Sequence, residues 1–105
     1  MVQQIKTVEE FNKILADNND KLVVVDYTAT WCPPCKQIAP IYVKIADENP
    51  EALFIKVDVD EGGDIASEQG ISAMPTFQFW KNGELVHTFS GASEEIIRTK
   101  VAELK

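Results

Sequence analysis

The run Lys21-Leu22-Val23-Val24-Val25-Asp26-Tyr27 constrains this chain more than any other stretch. It is apolar and β-branched without polar alternation, which suits a strand buried on both faces. From Pro34 to about Asn49, Ile38, Ile41, Tyr42 and Ile45 then recur at helical spacing, and Leu53-Phe54-Ile55-Lys56-Val57-Asp58 reads as a second strand. Strand, helix and strand in succession imply parallel pairing through a right-handed crossover. Pro40, inside that helix, removes one hydrogen bond and predicts a kink.

The flanking segments complete an α/β domain over residues 1–105. Val2 to about Ile5 suits a short first strand. Thr7-Val8-Glu9-Glu10 has the form of a capping box ahead of an apolar stripe of Phe11, Ile14 and Leu15, which predicts a helix ending near Asp17 to Asp20. Ile65 to Gln69 is a short helix closed by Gly70. Thr76 to Trp80 and Leu85 to Phe89 flank Lys81-Asn82-Gly83-Glu84, whose Asn-Gly pair signals an antiparallel hairpin. Ser93-Glu94-Glu95 opens a last helix, with Ile96, Ile97, Val101 and Leu104 expected to face the core. The order is β-α-β-α-β-α-β-β-α, a central mixed β-sheet flanked by helices.

Both cysteines fall where the buried strand passes into the long helix, in Trp31-Cys32-Pro33-Pro34-Cys35-Lys36. Pro33 and Pro34 fit a helix's first turn, where N–H groups have no intrahelical partner. Unpaired N–H groups and the positive end of the helix dipole stabilise a negative sulfur, so Cys32 should be the more acidic thiol. With some exposure it would be the nucleophile in disulfide exchange, and Cys35, one turn on, would resolve the mixed disulfide. A CxxC beside a strand-helix-strand pattern reads as a redox motif. A static disulfide over so short a loop adds little stability, and zinc needs four ligands where one chain has two cysteines and one distant histidine.

Asp26 ends a strand with no evident solvated face, so desolvation should raise its pKa toward a range useful for proton transfer, although it could merely end the strand. Asp58-Val59-Asp60-Glu61-Gly62-Gly63-Asp64 resembles a calcium loop only briefly, because Gly62 and Gln69 stand where ligands are wanted, and reads as a solvated acidic loop. His87 reads as a structural or surface residue with no assigned role, and Trp80 as packing rather than binding.

Seventeen acidic against ten basic residues give a net charge of −7 with no basic cluster, which argues against nucleic acid and anionic membrane as partners. Met1-Val2-Gln3-Gln4-Ile5-Lys6 is too polar for a secretory leader and no segment has the length of a membrane span, so a cytoplasmic location is expected. With 45% hydrophobic residues the chain needs no disulfide to form its core.

Val24-Val25-Asp26, Ala29-Thr30-Trp31-Cys32, Pro34-Cys35-Lys36, Pro40, Val57-Asp58-Val59-Asp60, Met74-Pro75-Thr76-Phe77, Gly83 and Phe89-Ser90-Gly91-Ala92 together resemble the thioredoxin family along the full length, most of all its cytosolic animal members. The resemblance implies the thioredoxin fold and a protein disulfide reductase in which Cys32 attacks a substrate disulfide and Cys35 releases the product. It implies Asp26 as proton acceptor or relay for Cys35, with Lys56 as a modulator. It also implies a cis bond before Pro75, pairing of the Met74 backbone with an extended substrate, and an apolar contact patch of Trp31, Met74, Pro75, Gly91 and Ala92. Expected partners are disulfide-containing proteins and a thioredoxin reductase drawing on NADPH, with a monomeric chain and no bound cofactor.

Pro33 departs from the family, which has Gly in Trp-Cys-Gly-Pro-Cys. A residue before proline is pushed away from the helical region, so the pair should start the helix late or strain it and tune the couple. Thr28, where many bacterial members carry Trp, and the lack of further cysteines are lesser departures. Two other functions stay open on the sequence. A [2Fe–2S] cluster at Cys32 and Cys35 would require a cysteine-sharing dimer or an external thiol, since four thiolates normally hold it. The other is a redox-inert binding module.

Overall fold

The computed structural model describes residues 2–105, and Met1 lies outside the described residues. Nine elements follow one another: β1 (Gln3–Gln4), α1 (Val8–Asp17), β2 (Val23–Thr28), α2 (Pro33–Glu48), β3 (Leu53–Asp58), α3 (Gly63–Glu68), β4 (Thr76–Lys81), β5 (Glu84–Ser90) and α4 (Glu94–Leu104). The expected order and the expected mixed sheet are both present. The strands lie side by side as β1-β3-β2-β4-β5, with β1, β3 and β2 parallel and β4 and β5 antiparallel.

β2 is central, and Val23 through Tyr27 are all buried, as its unbroken apolar run requires. Alternate residues feed two cores. Val24, Phe54, Phe77 and Phe79 pack with Ile38, Tyr42, Ile45, Ile97 and Val101 on the α2–α4 side. Val23, Val25, Tyr27, Ile55 and Val57 pack with Phe11 and Ile65 on the α1–α3 side. The period-2 geometry of a strand thus divides one hydrophobic run between two helical layers. Tyr42 ties α2 to the sheet, its hydroxyl lying 2.8 Å from the Ile55 carbonyl oxygen and 3.0 Å from that of Val24.

Thr7 caps α1 by accepting the Glu10 N–H at 3.1 Å, while the Glu10 carboxylate reaches the Lys6 N–H at 3.3 Å, one residue earlier than a standard capping box. The hairpin turns through Asn82 and Gly83, both with positive φ, as a type I′ turn demands.

Four local expectations need correction. β1 covers two residues rather than four. α3 begins at Gly63, two residues before Ile65, with Gln69 as its C-cap. Ile96 is 39% exposed, because adjacent helical positions point about 100° apart and Ile97 takes the inward one with Val101. α2 starts at Pro33, not late: Pro33 and Pro34 take its first two positions, where the fixed φ of proline suits the helix and no intrahelical N–H is needed.

Candidate active site

The dithiol motif sits at the C-terminal end of β2, where the strand gives way to α2. Cys32 is the N-cap of α2 in an extended conformation, with Pro33 and Pro34 in the first two helical positions. Neither proline has an N–H, so the first donor of the helix is Cys35, and its N–H points at Cys32 Sγ at 3.3 Å. A sulfur in the place usually taken by a Ser or Asp oxygen thus receives the capping hydrogen bond. Cys32 and Cys35 are joined as a disulfide with their Cα atoms 5.3 Å apart. Both are more buried than expected, but Cys32 keeps 5% of its surface open against 1% for Cys35. Ala29 completes their cluster, and Val59 and Met74 pack on it.

Met74 approaches from the loop before β4. Its carbonyl oxygen lies 3.7 Å from Cys32 Sγ, and the Met74–Pro75 peptide bond is cis, as the resemblance implied. Gly91, with φ of +112°, donates its N–H to the Pro75 carbonyl at 2.9 Å, so the loop after β5 is held beside the loop before β4. Gly91 and Ala92 are exposed, Met74 is half-buried and Pro75 is buried.

Trp31 is 61% exposed, yet it is anchored, because its indole N–H donates to the Asp60 carboxylate at 2.9 Å. This corrects the reading of residues 58–64 as a merely solvated loop. Asp58 is buried and its Oδ1 accepts the N–H groups of Asp60 at 2.8 Å and Glu61 at 3.2 Å, fixing the turn that aims Asp60. A Cβ on Gly62 would lie 2.8 Å from Val57 Cγ1 and 3.1 Å from the Asp58 carbonyl oxygen, so the turn packs directly on β3. Nothing in the local pattern around Asp60 points to Trp31, which lies 29 residues away. The signal available was an Asp two residues before a residue whose N–H it can take, the usual side-chain turn.

Asp26 lies on β2, 3% exposed, and its Oδ1 has no hydrogen-bond partner. Desolvation pushes its pKa up to about 7, opposed by the positive charge of Lys56. Lys56 is the register partner of Asp26 on β3 and is half-buried. A cleft of about 340 Å³ lined by Cys35, Lys36, Lys56, Thr28 and Asp58 opens beside this pair.

His87 and Trp80 do lie in packing positions away from the cysteines. His87 is tilted against the rings of Phe79 and Phe89, and Trp80 meets Phe11 edge to face at 6.1 Å. No helix among the described residues is long and apolar enough to cross a membrane.

The comparisons with known proteins agree with this geometry over nearly the whole chain. The family model described as Thioredoxin matches residues 2–103. A thioredoxin from Geodia cydonium is 47% identical over 106 residues, covering 100% of both chains, and one from Homo sapiens is 45% identical over 104 residues, covering 99% of both. The X-ray structure of Fasciola hepatica thioredoxin superposes with a TM-score of 0.97 at 40% identity, over 99% of this chain and 100% of that one. With a CxxC pair capping the helix after the central strand, and relatives of this name at both levels, the chain belongs to the thioredoxin family of dithiol-disulfide oxidoreductases.

Proposed function

We propose that Cys32 is the attacking thiolate, Cys35 the resolving thiol and Asp26 the proton acceptor in the reduction of protein disulfides. The observation that carries this reading is the N-cap position of Cys32, whose Sγ takes the Cys35 N–H and which is the more exposed of the two cysteines. In the reduced protein the thiolate of Cys32 attacks one sulfur of a substrate disulfide, that S–S bond breaks, and the first substrate thiolate leaves. Cys35 then gives its proton to Asp26 and attacks Cys32 Sγ, which expels the second substrate thiolate and closes the Cys32–Cys35 disulfide. Two electrons pass from the dithiol to the substrate. A carboxyl with a pKa of about 7 suits the acceptor role, because near neutral pH it can both take a proton and return it.

The substrate's docking edge, in this reading, is the backbone of Met74, with Trp31, Pro75, Gly91 and Ala92 around it. An extended segment would pair there by β-augmentation, its cysteine brought to Cys32. Pro33, Pro34 and Lys56 tune the couple. The chain acts as a cytoplasmic monomer, is returned to the dithiol by a thioredoxin reductase drawing on NADPH, and works without a bound cofactor. Nothing observed favours an iron–sulfur cluster or an inert binding module. Reduced protein should cleave the disulfides of a protein substrate such as insulin, and Cys32→Ser should abolish this. Full activity in that variant would refute the assignment.

A further inference from the structure

The β4–β5 hairpin has two unlike faces. Phe77, Phe79 and Phe89 belong to the core under α2 and α4. Thr76 pairs with Ser90 and Gln78 with Thr88 on the opposite face, where with Gln69 and Ser72 they line a groove of about 220 Å³. No charged side chain lines it.

The donor and acceptor sense of this groove follows from groups that have only one option. An indole N–H can only donate, and that of Trp80 lies 3.1 Å from Gln78 Oε1, which also takes the Tyr27 hydroxyl at 2.7 Å. The carboxamide of Gln78 is therefore oriented, with its nitrogen toward Gln69 Oε1 at 3.3 Å. That nitrogen has two protons and one protein acceptor, on a side chain only 2% exposed. The Gln69 carboxamide, with its oxygen turned to Gln78, has its own NH₂ to offer. On the other side, a carbonyl can only accept, so Thr76 donates to the Ala73 carbonyl at 2.5 Å and its oxygen accepts from the Ser90 hydroxyl at 3.0 Å. Ser90 has then used its only proton and presents an acceptor.

The amide donors of Gln78 and Gln69 and the hydroxyl acceptor of Ser90 line one groove, and together they complement a group that is neutral and carries both functions. A primary carboxamide has one carbonyl oxygen and an NH₂, whereas a carboxylate has no donor and an ammonium no acceptor. The groove also adjoins the cysteine site: Ala73, which takes the Thr76 proton, precedes Met74, and Thr76 follows Pro75. We propose that this groove is a subsite for an asparagine or glutamine side chain of the substrate protein, in the segment that lies along Met74. This rests on the docking at Met74 put forward above.

The first test is a titration of isotope-labelled oxidised protein with acetamide and, separately, acetate, following the side-chain amide resonances of Gln78 and Gln69. Acetamide should give saturable shifts that acetate does not, and Ser90→Ala, on an exposed position, should weaken acetamide binding about threefold to fivefold, the value of one neutral hydrogen bond. No shift with acetamide, or the same shift with acetate, would overturn the proposal. The second test compares peptide disulfides that differ only by Gln or Glu at each position flanking the cysteine in turn. At one position kcat/KM should favour Gln by about fivefold in the wild type and lose that preference in Ser90→Ala. Equal rates at every position would overturn the substrate assignment. Acetamide binding in a protein that reduces neither peptide would instead count against docking at Met74, and against this occupant with it.

Discussion

Asp26 and Lys56 are register partners on β2 and β3, so the one buried carboxylate among the described residues with an unpartnered oxygen has a lysine as its immediate neighbour in the sheet. Desolvation raises the Asp26 pKa to about 7 and the lysine holds it from rising further. Lys56→Met should therefore move the Asp26 pKa above 7. If Asp26 takes the Cys35 proton, the pH profile of product release should shift alkaline in that variant while the first attack by Cys32 keeps its profile. Single-turnover kinetics across pH separate the two steps.

The same burial has a consequence for stability. The folded-state pKa of Asp26 is about 7, above its ordinary value of 3.8, so the native state binds more protons than the unfolded state between those values. Stability must then fall as pH rises through that window, and the full cost is present above about pH 7. Asp26→Asn, nearly isosteric and never charged, should match the wild type near pH 4 and exceed it above pH 8 by up to about 4 kcal/mol. Denaturant unfolding at several pH values checks this, and a constant difference across pH would contradict it.

Trp31 and Asp60 form a second such pair, at the surface. Asp60→Ala removes the acceptor of the indole N–H and should free a ring that is already 61% exposed. The expected result is a rise in KM for protein substrates of about threefold to fivefold, the cost of one hydrogen bond's worth of ordering, with little change toward small disulfides. Asp60→Asn retains an acceptor and should restore most of the loss. Tryptophan fluorescence anisotropy should fall in the alanine variant.

Pro33 and Pro34 leave the Cys35 N–H as the first donor for a thiolate at Cys32. Pro33→Gly supplies one more N–H at the helix N-terminus, where negative charge is favoured. The Cys32 thiolate fraction at a given pH should rise by about threefold to tenfold, and the couple should become more oxidising by about 10–30 mV. Thiolate absorbance against pH and equilibration with glutathione read the two quantities.

The architecture was legible because its strongest signals are local and redundant: the Val23 to Tyr27 run, the helical spacing of Ile38, Tyr42 and Ile45, and Asn82-Gly83 each point to one conformation. The two cysteines and the desolvation of Asp26 could be read for the same reason. What escaped depended on contacts far apart in the chain. Gln78, between two phenylalanines, has the alternation of a solvated strand position, yet Tyr27 and Trp80 bury it through its oxygen. Asp58 and Asp60 have the composition of a wet acidic loop, and their roles come from backbone N–H groups and from an indole 29 residues away. Lys56 gains its meaning only from the register of β3 on β2.

The order of the two cysteines in the reaction is the central claim, and trapping tests it most directly. Cys35→Ser protein, mixed with a disulfide substrate in the absence of other thiols, should accumulate a mixed disulfide that mass spectrometry of the digested adduct places on Cys32. Cys32→Ser should accumulate little under the same conditions, because Cys35 is the more buried residue and its sulfur lacks the capping N–H. Equal or faster trapping on Cys35 would contradict the assignment of Cys32 as nucleophile.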